Sequence, residues 1–154
     1  MKRIIVLLVL FAFILSVFTG CPEAGVTQEE AEEAFEVAFM AFAYLIDIWL
    51  DEGTVEGAEL SGDDVIFTNC DLTQAIWETV NVTFGDYTEI SGTILKEASG
   101  EHYNEVFDVT LTGGAVSEIE FTIENFDLLY ESESFSVSIT ADGTTFDITY
   151  TPEW

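Results

Sequence analysis

The side chains able to do chemistry are few in kind and lopsided in charge. The 154-residue chain carries 30 Asp and Glu against three Lys and Arg, with one His and two Cys. The His, His102, falls in the turn Ser99-Gly100-Glu101-His102 ahead of a strand-like run, where a side chain normally meets solvent. There is no Gly-x-Ser-x-Gly elbow, and a Cys–His couple would require Cys70 to lie beside His102, so nucleophilic catalysis has no motif behind it. One His and one available Cys do not make a zinc ligand set. Asp63-Asp64 and Asp142-Gly143 come nearest to a calcium loop, and both read more simply as turns. A carboxylate pair for glycoside cleavage is compatible with so many acids, but their abundance makes any one pair uninformative. The expectation is a chain with no catalytic residue and no metal site.

The first residues carry a different message. Lys2 and Arg3 precede an apolar stretch from Ile4 to Leu15, and Ser16-Val17-Phe18-Thr19-Gly20 lead into Cys21. A basic start, an apolar run shorter than the roughly 20 residues of a membrane-spanning helix, and small residues before a cut site together read as an export signal. The residues Phe18-Thr19-Gly20-Cys21 resemble the lipobox of bacterial lipoproteins, with Phe18 where Leu is usual. The resemblance covers only the first 21 residues. It implies a signal peptide over 1–20, and a diacylglycerol or acyl lipid on Cys21 as the sole covalent group, so Cys21 is a lipidation site and not half of a disulfide. The alternative is an ordinary cleaved signal or an uncleaved anchor. The lipoprotein reading places the chain, exported, on the cell membrane or outer membrane, and Pro22 in place of Asp favours the outer membrane where a cell has one.

Residues 21–154 keep all 30 acids with Lys96 as the sole Lys, a formal charge of −29. Such a surface repels nucleic-acid phosphates and anionic headgroups, so the membrane partner is reached through the lipid and no nucleic-acid partner is expected. An acid excess with almost no Lys also matches proteins of salty habitats, where carboxylates form a solvated coat. Cys70 sits in phase with Ile66 and Leu72 in a strand-like run, with no basic neighbour to lower its pKa, and is read as a buried, inert thiol.

The elements follow from periodicity. After a lipidated Cys and short tether over 21–26, a single α+β domain is expected over 27–154. Thr27 and Glu30 form a capping box, Glu29, Glu30, Glu32 and Glu33 crowd the first turns, and the helix should run to about Glu52 with Gly53 as its stop. Phe35, Phe39, Phe42, Ile46 and Trp49 recur on one helical face. From Val55 to Tyr150 the pattern becomes period-two, with turns at Gly85-Asp86, Gly113-Gly114 and Asp142-Gly143. One strand is read through Ile76, Val80, Val82 and Phe84, although Asp71–Trp77 also fits a short helix. Ala115, Ile119, Phe121 and Ile123 are read as an inner face, with Val116, Glu118 and Glu120 outside. The architecture expected is one long N-terminal helix packed against a curved antiparallel meander of about eight strands, curling toward a partial barrel.

Three functions compete. The first is a non-catalytic binding or structural domain with an envelope protein partner. The second is a carrier of a hydrophobic ligand, lined by Phe39, Phe42, Phe121 and Phe146, although close-packed interiors normally leave no such space. The third is a carboxylate-based hydrolase of envelope or extracellular polysaccharide, which would use an exposed aromatic platform; Trp49 lies on the core stripe, leaving Trp77 and Trp154 as the exposed candidates.

The charge makes one prediction by itself. Salt shortens the reach of carboxylate repulsion from about 10 Å at 0.1 M to about 3 Å at 1 M. Thermal unfolding followed by circular dichroism should therefore shift to higher temperature across that range of sodium chloride, and a midpoint that stays flat contradicts the reading.

Overall fold

In the computed structural model, residues 25–131 and 134–151 are described. The signal, Cys21 and Trp154 lie outside them. Helix α1 spans Gln28–Asp47 and opens on the expected capping box: Glu30 N donates to Thr27 Oγ1 at 3.3 Å, and Thr27 N donates to Glu30 Oε2 at 2.8 Å. It widens into a π-helical turn, Ile48–Glu52, and ends where Gly53, at φ 123°, donates to the Ile48 carbonyl at 2.8 Å. The buried face holds Phe35, Phe39, Phe42, Leu45 and Ile48, with Ala31, Ala34, Ala38 and Ala41 between them. Ile46, expected on that face, is 45% exposed; the buried stripe passes through Leu45 instead, one residue round the helix.

Seven strands, not eight, form one antiparallel sheet in sequence order: β1 Ala58–Ser61, β2 Asp64–Asp71, β3 Glu89–Ser99, β4 His102–Thr112, β5 Glu118–Ile123, β6 Phe135–Ala141 and β7 Thr144–Tyr150. The sheet is open, with β1 and β7 as its edges, so no barrel closes. The strand expected through Ile76–Phe84 is instead a short helix, α2, over Ala75–Thr79, followed by turns. Trp77 decides this: its ring is 1% exposed, packs edge-on against Phe84 at 5.1 Å, and its indole N–H donates to the Asp71 carbonyl. It is therefore no exposed platform.

Two local irregularities set which side chains face α1. The β2–β3 register slips by one residue between Phe67 and Cys70, and Asn69 adopts φ 45°. This bulge turns Cys70, fully buried, to the face of Val65 and Phe67 and out of phase with Ile66. Burial, then Asp71 and Glu89, push its thiol up to about 12, and it stays inert. Gly113-Gly114 is not a two-residue hairpin but part of a longer loop between β4 and β5. A Cβ on Gly114 would lie 2.1 Å from the Tyr87 ring, so the glycines make room for Tyr87, whose hydroxyl accepts from Val116 N. That loop buries Val116 and exposes Ala115, reversing the expected phase. Asp142-Gly143 is a true two-residue turn, with both φ positive and Ala141 paired to Thr144.

Helix α1 lies across the inner faces of β4, β5, β6 and β7, leaving the opposite face of the sheet in water. Phe35 is its central contact, 4.8 Å from Phe121, 5.2 Å from Tyr150 and 5.7 Å from Phe39 between ring centroids. Phe35→Ala should therefore destabilise the domain by about 3–5 kcal/mol in urea unfolding. A loss below about 1 kcal/mol would mean that the site collapses around the gap and α1 is not pinned there.

Candidate functional site

A wide opening on the described surface follows from how β5 meets β6. These strands pair only over Ile119–Phe121 with Ile139–Ala141. Beyond Phe121↔Ile139 they diverge, because the chain between them does not turn directly back. Asn125, at φ 51°, deflects it into a 3-10 helix, Phe126–Glu131, that crosses beneath the start of β4. Phe126 is buried there, 5.6 Å from Phe42 and 6.0 Å from Tyr103, and Leu129 is buried with it. Asn125 N donates to Asn104 Oδ1, and the Asp127 carboxylate accepts from Tyr103 N and bonds His102 Nδ1 at 2.7 Å. The detour buries two apolar side chains and leaves a fork in the sheet.

The fork is a groove of about 700 Å³. Phe107, Phe121, Phe135 and Val137 form its apolar base, and Asp108, Glu120, Thr122, Glu124, Ser136, Ser138 and Thr140 line its water side. The ladder's phase shows where it opens. Leu111 N donates to Ser117 O and Asp142 N donates to Glu118 O, so odd residues of β5 bond to β4 and even ones toward β6. Phe121↔Ile139 is then a non-hydrogen-bonded pair, held by the Thr122 N–H on the Ser138 carbonyl, so the strands part only beyond Thr122, where Glu124 lies in the turn that follows β5. The same phase makes Asp108↔Glu120 a non-hydrogen-bonded pair, the arrangement that brings facing side chains closest. Both side chains are exposed, and neither they nor Glu124 has a hydrogen bond or ion pair among the described residues.

A second unusual group lies two strand positions away. Glu105, in β4, points to the core side and is 4% exposed, with Oε2 unpartnered. Its cross-strand neighbours are Lys96 and Ile123. Lys96 Nζ lies 3.6 Å from Asp63 Oδ2 and 4.2 Å from the Tyr103 ring centroid, while Lys96 N donates to Asp64 Oδ1. Burial pushes the Glu105 carboxyl up to about 7, with Lys96 pulling it down and Asp64 and Asp63 pushing it up. Nothing in composition or spacing marks Glu105 out among 30 acids; only the inward phase of β4, where it aligns with Phe107 and Val109, could have done so.

Of the four Phe expected to line a cavity, Phe39 and Phe42 are buried against rings: Phe39 against Phe35, and Phe42 against Phe107 at 5.5 Å. Phe121 stacks on Phe107 at 4.2 Å and also reaches the groove, and Phe146 is a half-buried residue of β7. The four do not come together around one space. Cys21 lies outside the described residues. His102, expected in solvent, is half-buried and held by Asp127, whose carboxyl that contact lowers. Cys70 sits opposite Ile90 and His102 opposite Ser99, roughly 30 Å apart along β3, so no Cys–His couple forms. Among the described residues no group of three His, Cys, Asp or Glu is placed to hold a metal ion, and no helix is long and apolar enough to cross a membrane.

No protein-family model matches the chain, and neither a curated protein nor a solved structure matches it.

Glu105 gives a pH prediction with a definite sign. Its pKa rises from 4.5 in the unfolded chain to about 7 in the fold, so its contribution is most favourable below pH 4.5 and declines as pH rises toward about 7. Glu105→Gln should gain on the order of 2–3 kcal/mol relative to the native chain between those limits, read by urea unfolding at matched ionic strength. Parallel stability curves for the two proteins would show that Glu105 ionises as freely in the fold as outside it.

Proposed function

We propose that this chain is a cell-envelope lipoprotein, exported and anchored through lipid on Cys21, whose α+β domain binds a partner at its surface and catalyses no reaction. The observation that carries the anchor is the run Phe18-Thr19-Gly20-Cys21 behind a basic and apolar leader. The tether is short: from Cys21 to Thr27 the chain reaches about 20 Å when fully extended. The domain therefore works close to the membrane, with its excess of carboxylates holding it off anionic headgroups.

The surface-binding reading is supported by where open space lies. The Phe rings of the core fill the interface between α1 and the sheet, so an internal hydrophobic cargo would have to displace stacked aromatic pairs, each worth about 0.5–1.5 kcal/mol beyond its buried area. The fork between β5 and β6, in contrast, is open, and its carboxylates Asp108, Glu120 and Glu124 have no partner among the described residues. A hydrolase reading finds no support in Trp77, whose ring is buried.

The anchor is tested in cells. Expressed with its leader in a bacterial host and fed a labelled fatty acid, the full chain should incorporate label and partition with membranes, while Cys21→Ser should lose the label and leave the membrane fraction. Equal labelling of both proteins would refute the anchor at Cys21.

A further inference from the structure

We propose that the open edge of β7 is a self-association surface, where a second copy of this chain pairs antiparallel and continues the sheet. The edge lies apart from the fork, so the inference goes beyond the surface-binding reading and does not depend on what the fork holds. Asp142 N donates to Glu118 O, so Ala141 bonds not to β5 but to Thr144, across the two-residue turn. Even residues of β7 therefore bond to β6, and Thr145, Asp147, Thr149 and Thr151 turn their N–H and C=O groups outward. None of these backbone groups has a partner among the described residues. At about 3.4 Å per residue, the open stretch is about 20 Å long.

The two edges of the sheet are treated differently. β1 has four residues, and of its two outward positions, Ala58 and Leu60, the first closes its N–H on the Val55 carbonyl. Charges surround it at Glu56, Glu59, Asp63 and Asp64. Short length and charge keep a solvent-facing edge from pairing. β7, in contrast, pairs with β6 over seven residues without a bulge, and it carries no Lys and no Pro before Pro152. Of the 30 acids only Asp142 and Asp147 fall within 134–151, and Asp142 is committed to Ser117 and Glu118. Two bodies of formal charge −29 repel over most of their surface, so the carboxylate-poor hairpin β6–β7 is the face on which two copies meet with least repulsion.

Self-pairing also has a fitting register. Antiparallel pairing about a twofold axis centred on Ile148 joins the outward groups, with Asp147 opposite Thr149 and Thr145 opposite Thr151. Centring on Asp147 would set two carboxylates face to face. The Asp147 carboxylate has no hydrogen bond among the described residues, and in the Ile148 register it meets a hydroxyl. Thr149 Oγ1 lies 3.2 Å from Ser136 Oγ, so it accepts from Ser136 and donates to Asp147 of the second copy. On the inner face Ile148 meets Ile148, and Phe146 meets Tyr150, two rings that are half-buried in the single chain. Beside Tyr150 lies a groove of about 520 Å³ over Val37, Met40 and Phe84, with Glu33 and Glu36 at its rim. It is the space that Phe146 of the second copy enters.

A contact between two strands is smaller than the roughly 1,200 Å² of a stable interface, so the dimer is weak and depends on salt. The full chain is purified in detergent and sedimented to equilibrium in density-matched micelles, held in large excess over protein, at about 0.1 M and about 1 M sodium chloride. A monomer–dimer equilibrium is expected whose dissociation constant falls about tenfold or more between the two. Thr145→Pro and Thr149→Pro each remove an outward N–H that no ladder uses, at positions where an edge strand accepts Pro. Each should abolish the dimer and leave the circular dichroism spectrum unchanged. Leu60→Pro makes the same change at the edge of β1 and should leave the dimer intact. In the native sequence, hydrogen exchange followed by NMR at rising concentration should slow at Thr145, Asp147 and Thr149. Phe146 and Ile148, already bonded to β6, should keep their rates.

A monomer at every salt and protein concentration would overturn the proposal and leave the edge to another protein's strand. A dimer that survives both β7 prolines, an equal loss in Leu60→Pro, or slowing confined to another surface would overturn it too. Exchange is read on the native sequence, so it decides the matter even where a Pro variant fails to fold. None of these outcomes bears on the lipid at Cys21 or on binding elsewhere on the surface.

Discussion

The structure depends on covering one face of α1 with a single sheet. The contact is a column of rings that runs from the sheet into the helix: Phe42 on Phe107 at 5.5 Å, Phe107 stacked on Phe121 at 4.2 Å, and Phe121 on Phe35 at 4.8 Å. The fully buried alanines at 31, 34, 38 and 41 allow the helix backbone to approach closely, so the rings interlock instead of holding the layers apart. Burying one Phe side chain is worth about 1.5–3 kcal/mol, and several such rings outweigh any other single contribution visible in the domain. Each strand's inward phase is set by this demand, and the bulge at Asn69 corrects the phase of β2 so that Cys70 joins Val65 and Phe67 against the core.

The fork follows from the same demand. The C-terminal half of α1 extends past the inner faces of the central strands, and Phe42 needs cover on that side. Phe126 and Leu129 supply it, but only if the chain leaves β5 early and crosses beneath β4 before returning as β6. The exchange is favourable: two apolar side chains enter the core, while the freed strand edges remain in water, where solvent satisfies their donors and acceptors. Glu105 is a by-product of the same crowding. It occupies an inward position in the first half of β4, in phase with Phe107 and Val109, with Lys96 as its neighbour across the ladder.

Much of this was legible in the sequence because it is local. The capping box at Thr27 and Glu30, the stop at Gly53 and the turn at Asp142-Gly143 each need only neighbouring residues, and each appears as read. The helix-on-meander architecture was legible too, since the change of period after Val55 is long and regular. What was missed depends on partners distant in the chain. Val80, Val82 and Phe84 look like one face of a strand, but Trp77 draws that segment into a helix and turns by finding Phe84 and the Asp71 carbonyl. Gly113-Gly114 looks like a hairpin until Tyr87 needs the space. The fork was invisible for the same reason: no residue between Asn125 and Phe135 announces that its chain will pass under β4.

The carboxylates divide into two kinds once the structure is known. With Lys96 the one basic side chain among the described residues, the fold uses backbone N–H groups where other proteins use Lys and Arg. Asp142 accepts from Ser117 N and Glu118 N, Asp71 from Thr73 N, Asp127 from Tyr103 N and Glu30 from Thr27 N. Together with side-chain donors, His102 on Asp127, Thr73 Oγ1 on Asp71 and Ser117 Oγ on Asp142, which are the larger influence at those three, these bonds hold all four carboxyls below the usual carboxylate range, as expected when donors favour the charged form. Each fastens a turn, a loop or a helix start, and its role is complete within the chain. Asp108, Glu120 and Glu124 have no such donor, although they stand where two strands come apart. The same holds for Glu29, Glu59, Glu97 and Glu118, which are exposed on other parts of the surface without a donor. The carboxylates with no work in the fold are therefore spread over the whole described surface as a solvated coat, and the facing pair Asp108 and Glu120 is the point where that coat is densest across one ladder.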